Sequence, residues 1–154
     1  MGQIDDIYKD IQNLNIQGAT NVCIATFEGM KLYLELTQES DSKELYDEFF
    51  RVGDKLAHAR ENEPLATNGV TFVKFLFEKE YSDLPSVSSM KRILREFCDD
   101  YLEMVNSSKK EIVENGRNEL EKYKKILTHC HSSTVVSLIK NISQGKTEFE
   151  VVCT

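Results

Sequence analysis

Residues 125–154 read KILTHCHSSTVVSLIKNISQGKTEFEVVCT, and this stretch decides the fold. Ile126 and Leu127 make a short apolar run that stops at Thr128-His129-Cys130-His131. Ser132, Ser133 and Thr134 then offer hydroxyls suited to capping a helix start. Val135, Val136, Leu138, Ile139 and Ile142 give that helix an apolar face, and Gly145 sits where a helix-ending glycine belongs. Phe149, Val151 and Cys153 alternate with Glu150 and Val152, the period of a strand. Two strands joined by a helical crossover are expected to be parallel, with a right-handed connection. Cys130 therefore falls just past a strand and just before a helix N-terminus. Ligands bind at that place in open α/β sheets, where helix N–H groups favour negative charge and lower a thiol pKa.

Upstream of this stretch the pattern is helical. Ile4, Ile7, Ile11 and Leu14 mark a first helix, and Asn15-Ile16-Gln17-Gly18 breaks it. Thr20 or Asn21 is the expected cap of a second helix, whose stripe is Val22, Ala25, Gly29, Leu32 and Leu36, widened by Ile24, Phe27 and Met30. A third runs from about Lys43 to Ala59 on Leu45, Phe49, Val52 and Leu56. Pro64 suits the first turn of a fourth, where its missing N–H is harmless, with Leu65, Phe72, Val73, Leu76 and Phe77 as the apolar face. The fifth pattern starts near Ser86 and extends toward Lys122 on Met90, Leu94, Phe97, Tyr101 and Met104, with Gly116 expected to bend or interrupt it. The fold class that follows is mostly α. An N-terminal antiparallel helical bundle, residues 1–122, leads into a partial parallel β-α-β unit of a Rossmann-like domain, residues 123–154. Two parallel strands bury little area, so the sheet reads as one cut short, in a fragment or a naturally shortened chain.

Composition narrows the function. The chain has 154 residues, 40% of them apolar, and a formal charge of −7. That charge argues against a nucleic-acid partner held through phosphates. No apolar run approaches the roughly 20 residues of a membrane span, and the start MGQIDDIYKD lacks the apolar core of a signal peptide. A cytoplasmic protein with reduced thiols is expected, because Cys23, Cys98, Cys130 and Cys153 show no CxxC spacing. Cys23 and Cys98 fall in helical stripes and Cys153 in a strand, so all three are expected to be buried. His129 and His131 flank Cys130 but point to opposite faces of a strand, so no metal is expected.

The segment ILTHCHSS, Ile126 to Ser133, resembles the first strand of the sugar-binding domain in a known family. It unites ribose-1,5-bisphosphate isomerase, methylthioribose-1-phosphate isomerase and the regulatory subunits of translation initiation factor two-B. Ile16-Gln17-Gly18-Ala19 resembles the family's Arg-Gly-Ala loop, and Ala59-Arg60-Glu61-Asn62-Glu63-Pro64 with Asn68 resembles its Arg-Pro-Thr segment. Phe149 to Thr154 resembles the second strand, which in the family continues into Glu-Thr/Ser-Arg-Pro. The resemblance implies that Cys130 is the catalytic thiol, which works with an aspartate found far downstream in the family. It further implies that Gln17, Gly18, Ala19 and Arg60 bind phosphate, with no cofactor and no metal. Gln17 stands in place of the loop arginine, which removes a charge-assisted phosphate contact. Arg60 is open to a second fate, pairing with Glu61 or Glu63. Gly18 is open to serving as a plain turn.

Two functions fit the resemblance. The leading one is a regulatory or interaction protein of the initiation factor two-B type, not catalytic over residues 1–154 alone, with the alpha subunit of initiation factor two as its partner. The alternative is the N-terminal part of a ribose-1,5-bisphosphate isomerase, with a sugar phosphate as ligand and activity once a downstream Rossmann-like domain completes it. The unpaired second strand adds the expectation of a homo-oligomer.

Overall fold

The computed structural model describes residues 2–129, 132–145 and 148–154. Six helices and two strands lie among them: α1 (Gly2–Gln12), α2 (Ala19–Leu36), α3 (Ser42–Ala57), α4 (Pro64–Glu80), α5 (Val87–Leu120), β1 (Lys125–Thr128), α6 (Ser133–Ser143) and β2 (Glu150–Cys153). Contacts group the chain into Met1–Leu102 and Glu103–Thr154, and α5 supplies residues to both.

The first unit is an antiparallel bundle built around α2. The side chains that meet show the directions. On α2 and the first half of α5, Phe27 stacks on Tyr101 at 4.9 Å. Lys31 pairs with Asp99 at 2.8 Å and Arg95 with Glu35 at 2.9 Å. Position numbers rise on one helix as they fall on the other. The same holds for α3 and α4, where Tyr46 donates to Glu78 at 2.6 Å and Lys74 lies over the Phe50 ring. The core contains Ile11, Val22, Phe27, Met30, Leu45, Phe49, Leu56, Val70, Phe77, Met90 and Leu94, all essentially without exposure.

α3 follows its sequence pattern closely. Leu45, Phe49, Val52 and Leu56 are all buried. Asp41 caps it, accepting from the Lys43 and Glu44 amides at 2.8 and 2.9 Å. α2 departs from its pattern. Cys23, Thr26, Tyr33 and Leu34 are buried, while Ile24 and Leu36 are exposed. A helix with neighbours on several sides has no single stripe for periodicity to find. Thr26 is tolerated inside because its hydroxyl donates to the Val22 carbonyl at 2.9 Å. Phe72 on α4 is likewise exposed, and Ala66, Gly69 and Val70 take the buried positions instead. Leu14 lies beyond the end of α1 and is exposed.

In the second unit, Gly116 does not interrupt α5, which runs unbroken to Leu120. Its missing side chain makes room for a neighbour. A Cβ there would sit 2.7 Å from Leu138 Cδ2 of α6. β1 and β2 pair in parallel with Lys125 beside Glu150 and Thr128 beside Cys153, joined through α6. The mostly α fold with a partial parallel β-α-β unit is therefore present. Cys153 is exposed rather than buried, because a two-stranded sheet covers little on either face. Leu127 is 70% exposed for the same reason.

Candidate functional site

The loop between α1 and α2 is shaped by two residues with left-handed backbone. Leu14 has φ 66° and Gly18 has φ 85°. Gly18 is the N-cap of α2, and no side chain caps that helix start. Thr20 and Asn21 therefore do not serve as the cap. Asn21 instead donates from Nδ2 to the Gln17 carbonyl at 2.9 Å. Gln17 is exposed and donates from Nε2 to the Leu14 carbonyl at 2.7 Å. The chain thus presents an exposed Gly18-Ala19 helix start with unclaimed N–H groups and no acidic residue in its first turn. Such a start attracts anions. The turn and the anion-facing loop expected for Gly18 require the same geometry.

Arg60 is partly buried and pairs with Glu63, Nη1 to Oε1 at 3.1 Å. Glu63 directly precedes Pro64 and is 7% exposed, the one acidic residue in the core among the described residues. A buried carboxylate needs such a partner. The sequence offered Glu61 and Glu63 equally. Burial of Ala59 and Ala66 on either side draws Glu63 inward while Glu61 stays exposed.

Cys130 and His131 lie outside the described residues. The frame on either side of them is defined. Thr154 N donates to the Thr128 carbonyl at 3.1 Å, which extends the β1–β2 ladder. His129 Nδ1 lies 2.9 Å from Thr154 Oγ1, so this histidine has a hydrogen-bond partner. Ser132 caps α6, accepting from the Val135 amide at 3.4 Å. Lys109 reaches the same helix start and donates to Ser133 Oγ at 3.3 Å. No cluster of three or more His, Cys, Asp or Glu residues suited to a metal occurs among the described residues.

The remaining thiols divide by environment. Burial pushes Cys23 up to about 11 and Cys98 to about 12 from an ordinary 9.0. Both are core residues, as their helical positions predict. Burial also raises Tyr101 to about 12, and its hydroxyl donates to the Leu65 carbonyl at 3.2 Å. No helix among the described residues is long and apolar enough to cross a membrane.

The fold is mostly α, a helical bundle followed by a partial parallel strand–helix–strand unit. The chain belongs to the initiation factor 2 subunit family, whose model matches residues 15–154. It is 24% identical over 153 residues to ribose 1,5-bisphosphate isomerase of Pyrococcus furiosus, covering 99% of this chain and 47% of that protein. It is 27% identical over 157 residues to the protein of the same name from Methanocaldococcus jannaschii, covering 100% and 47%. Among solved structures, the translation initiation factor eIF-2B of Pyrococcus horikoshii OT3 superposes with a TM-score of 0.78 at 20% identity, covering 98% of this chain and 50% of that one. The chain thus spans about half the length of the relatives it matches.

Proposed function

We propose that this chain serves aldose–ketose isomerisation of a phosphorylated ribose, as the counterpart of the first half of the isomerases it resembles. The observation that carries this is the reach of the similarity. Proteins named ribose 1,5-bisphosphate isomerase from several archaea align over the whole chain, helical bundle and strand–helix–strand alike. In this reading the isomerase, rather than the regulatory protein, becomes the first choice.

The residues have distinct roles in the reading. Cys130 moves a proton between adjacent sugar carbons, so that aldose and ketose interconvert without net oxidation. A helix N-terminus beside a thiol raises its thiolate fraction, and Ser132 supports that start by capping α6. The Gly18 and Ala19 backbone supplies N–H donors to a phosphate, and Gln17 supplies a neutral amide. Arg60 supplies a cation once phosphate competes with Glu63 for it. The test is turnover of ribose 1,5-bisphosphate to ribulose 1,5-bisphosphate by the natural protein containing these residues. Activity that is lost in Cys130→Ser supports the proposal. Activity that survives the change removes Cys130 from the mechanism, and no turnover by the natural protein removes the function.

A second reading rests on the structural match to a translation initiation factor. It makes the chain an interaction module for the alpha subunit of initiation factor two. Capture of that subunit by the natural protein, together with no turnover, would favour it.

A further inference from the structure

A cavity of about 410 Å³ opens where α2 ends, between α1, α2, the loop after α2, and α3. That volume is in the range of small-molecule sites. The cavity lies wholly within the first unit. Its walls divide by chemistry. Ile4 and Leu36 form an apolar side, and Leu36 is 44% exposed, an aliphatic side chain left open at a helix end. Glu39 and Glu48 bring two carboxylates and Arg51 one guanidinium. Arg51 donates from Nε and Nη2 to Glu48 Oε2, which leaves its Nη1 without an acceptor among the described residues.

Tyr33 adds a requirement from inside. It is 3% exposed, and its hydroxyl accepts from Thr37 Oγ1 at 3.4 Å, while its own proton has no acceptor among the described residues. Burial holds this hydroxyl above the ordinary tyrosine range against the Thr37 hydrogen bond; the Glu48 and Glu39 charges add to the rise and Arg51 opposes it. Thr37, Glu48, Glu39 and Arg51 all line the cavity, so the hydroxyl end of Tyr33 is the end that borders it. A buried donor in this state calls for an acceptor from outside the chain. The opposite need exists at Glu39, which has no ion-pair partner among the described residues. A hydrogen bond to Glu39 also holds the Glu44 carboxyl above the usual carboxylate range, the mark of two like charges in contact. α2 has no basic residue in its last turn, so its C-terminal end adds partial negative charge beside them. Lys91 meets part of that charge, donating to the Thr37 carbonyl at 2.8 Å.

We infer that this cavity binds a free α-amino acid with an aliphatic side chain. Its carboxylate accepts from the Tyr33 hydroxyl and Arg51 Nη1, its ammonium donates to Glu39, and its side chain lies against Ile4 and Leu36. The ligand must be a zwitterion. An amine alone leaves the Tyr33 proton without an acceptor, and an anion alone meets Glu39 and Glu48 with like charge. This site shares no residue with Gln17, Gly18, Ala19, Arg60 or Cys130, so its success or failure is independent of the isomerase reading.

Isothermal titration calorimetry of the natural protein containing these residues tests it, with L-leucine, glycine, isopentylamine and isocaproate as probes. The last three lack the side chain, the carboxylate and the ammonium of leucine in turn. The expected result is saturable leucine binding at least about tenfold tighter than that of each of the others. Tyr33→Phe, which keeps the buried ring, and Arg51→Gln should each weaken leucine about tenfold and leave isopentylamine unchanged. Glu39→Gln should weaken leucine and isopentylamine alike. Arg51→Gln and Glu39→Gln alter side chains outside the core, so they decide the matter even where Tyr33→Phe disturbs folding. No saturable leucine binding, isopentylamine or isocaproate as tight as leucine, or parental affinity in both Arg51→Gln and Glu39→Gln would each overturn the inference.

Discussion

Replacing Gly18 with alanine separates backbone strain from crowding at the start of α2. The residue sits at φ 85° and ψ 139°, a conformation that side chains disfavour. Crowding plays no part, because no heavy atom comes within 4 Å of a Cβ placed there. The whole cost is therefore conformational, about 1–3 kcal/mol for a residue held in a sparsely populated region. No helix-propensity gain offsets it, since Gly18 is the cap and not an interior position. A net loss of about 2 kcal/mol corresponds to a fall in Tm of about 4–8 °C for a domain of this size. Urea unfolding followed by far-UV circular dichroism measures it, with Gly2→Ala as the control at a glycine equally free of neighbours. Because the Gly18 carbonyl accepts the Val22 amide at 3.0 Å, the amide signals of Ala19 to Val22 should move with the stability. A variant as stable as the parent, with those amides unmoved, would refute the claim that this loop needs a residue free to take positive φ.

Four further outcomes follow from the geometry. Gly69→Ala should destabilise by about 1–2 kcal/mol, because its Cβ would lie 2.7 Å from Tyr101 Cζ and 2.8 Å from Phe27 Cε2, and overpacking outweighs the helix-propensity gain; combining it with Tyr101→Leu should cost less than the sum of the two, as urea midpoints would reveal. Asp41→Ala should cost about 1 kcal/mol by removing both amide caps of α3, again read from urea unfolding. Under native conditions Cys153 should react with a thiol reagent while Cys23 and Cys98 react only after unfolding, which peptide mass spectrometry resolves. Stability should fall as pH rises above about 9, because Cys23 and Cys98 keep their protons in the folded chain up to about 11 and 12 while the unfolded thiols ionise near 9.0; the double Cys→Ala variant should lose the part of this fall below about pH 10 and keep the part above it, where unfolded tyrosines ionise and Tyr101 holds its proton up to about 12.

The helix count, the parallel strand pair and the capping serine of α6 were legible because each rests on local chemistry. α3 was readable residue by residue because only one of its faces is buried. α2 was not, because neighbours cover it on several sides and periodicity then loses its meaning. Gly116 misled for a different reason. Glycine in a helix costs stability locally, and the compensation comes from Leu138, more than twenty positions away, where no sequence window reaches. The candidate site divides in the same way. Gly18 announced its own backbone need, and Arg60 announced its charge. That Glu63 is the buried partner depends on which side of α4 meets the core.

The pairing of Lys125 with Glu150 also sets an order of events in time. When β1 is translated, the strand that will hold it has yet to be made, and so has the crossover that must bring it back. At about 5–20 residues per second the delay lasts seconds. The helices of Met1–Leu102 close through local turns, and helices form in about a microsecond. The bundle upstream therefore begins to close while β1 still waits for its partner, so the sheet is the last part of the chain to form.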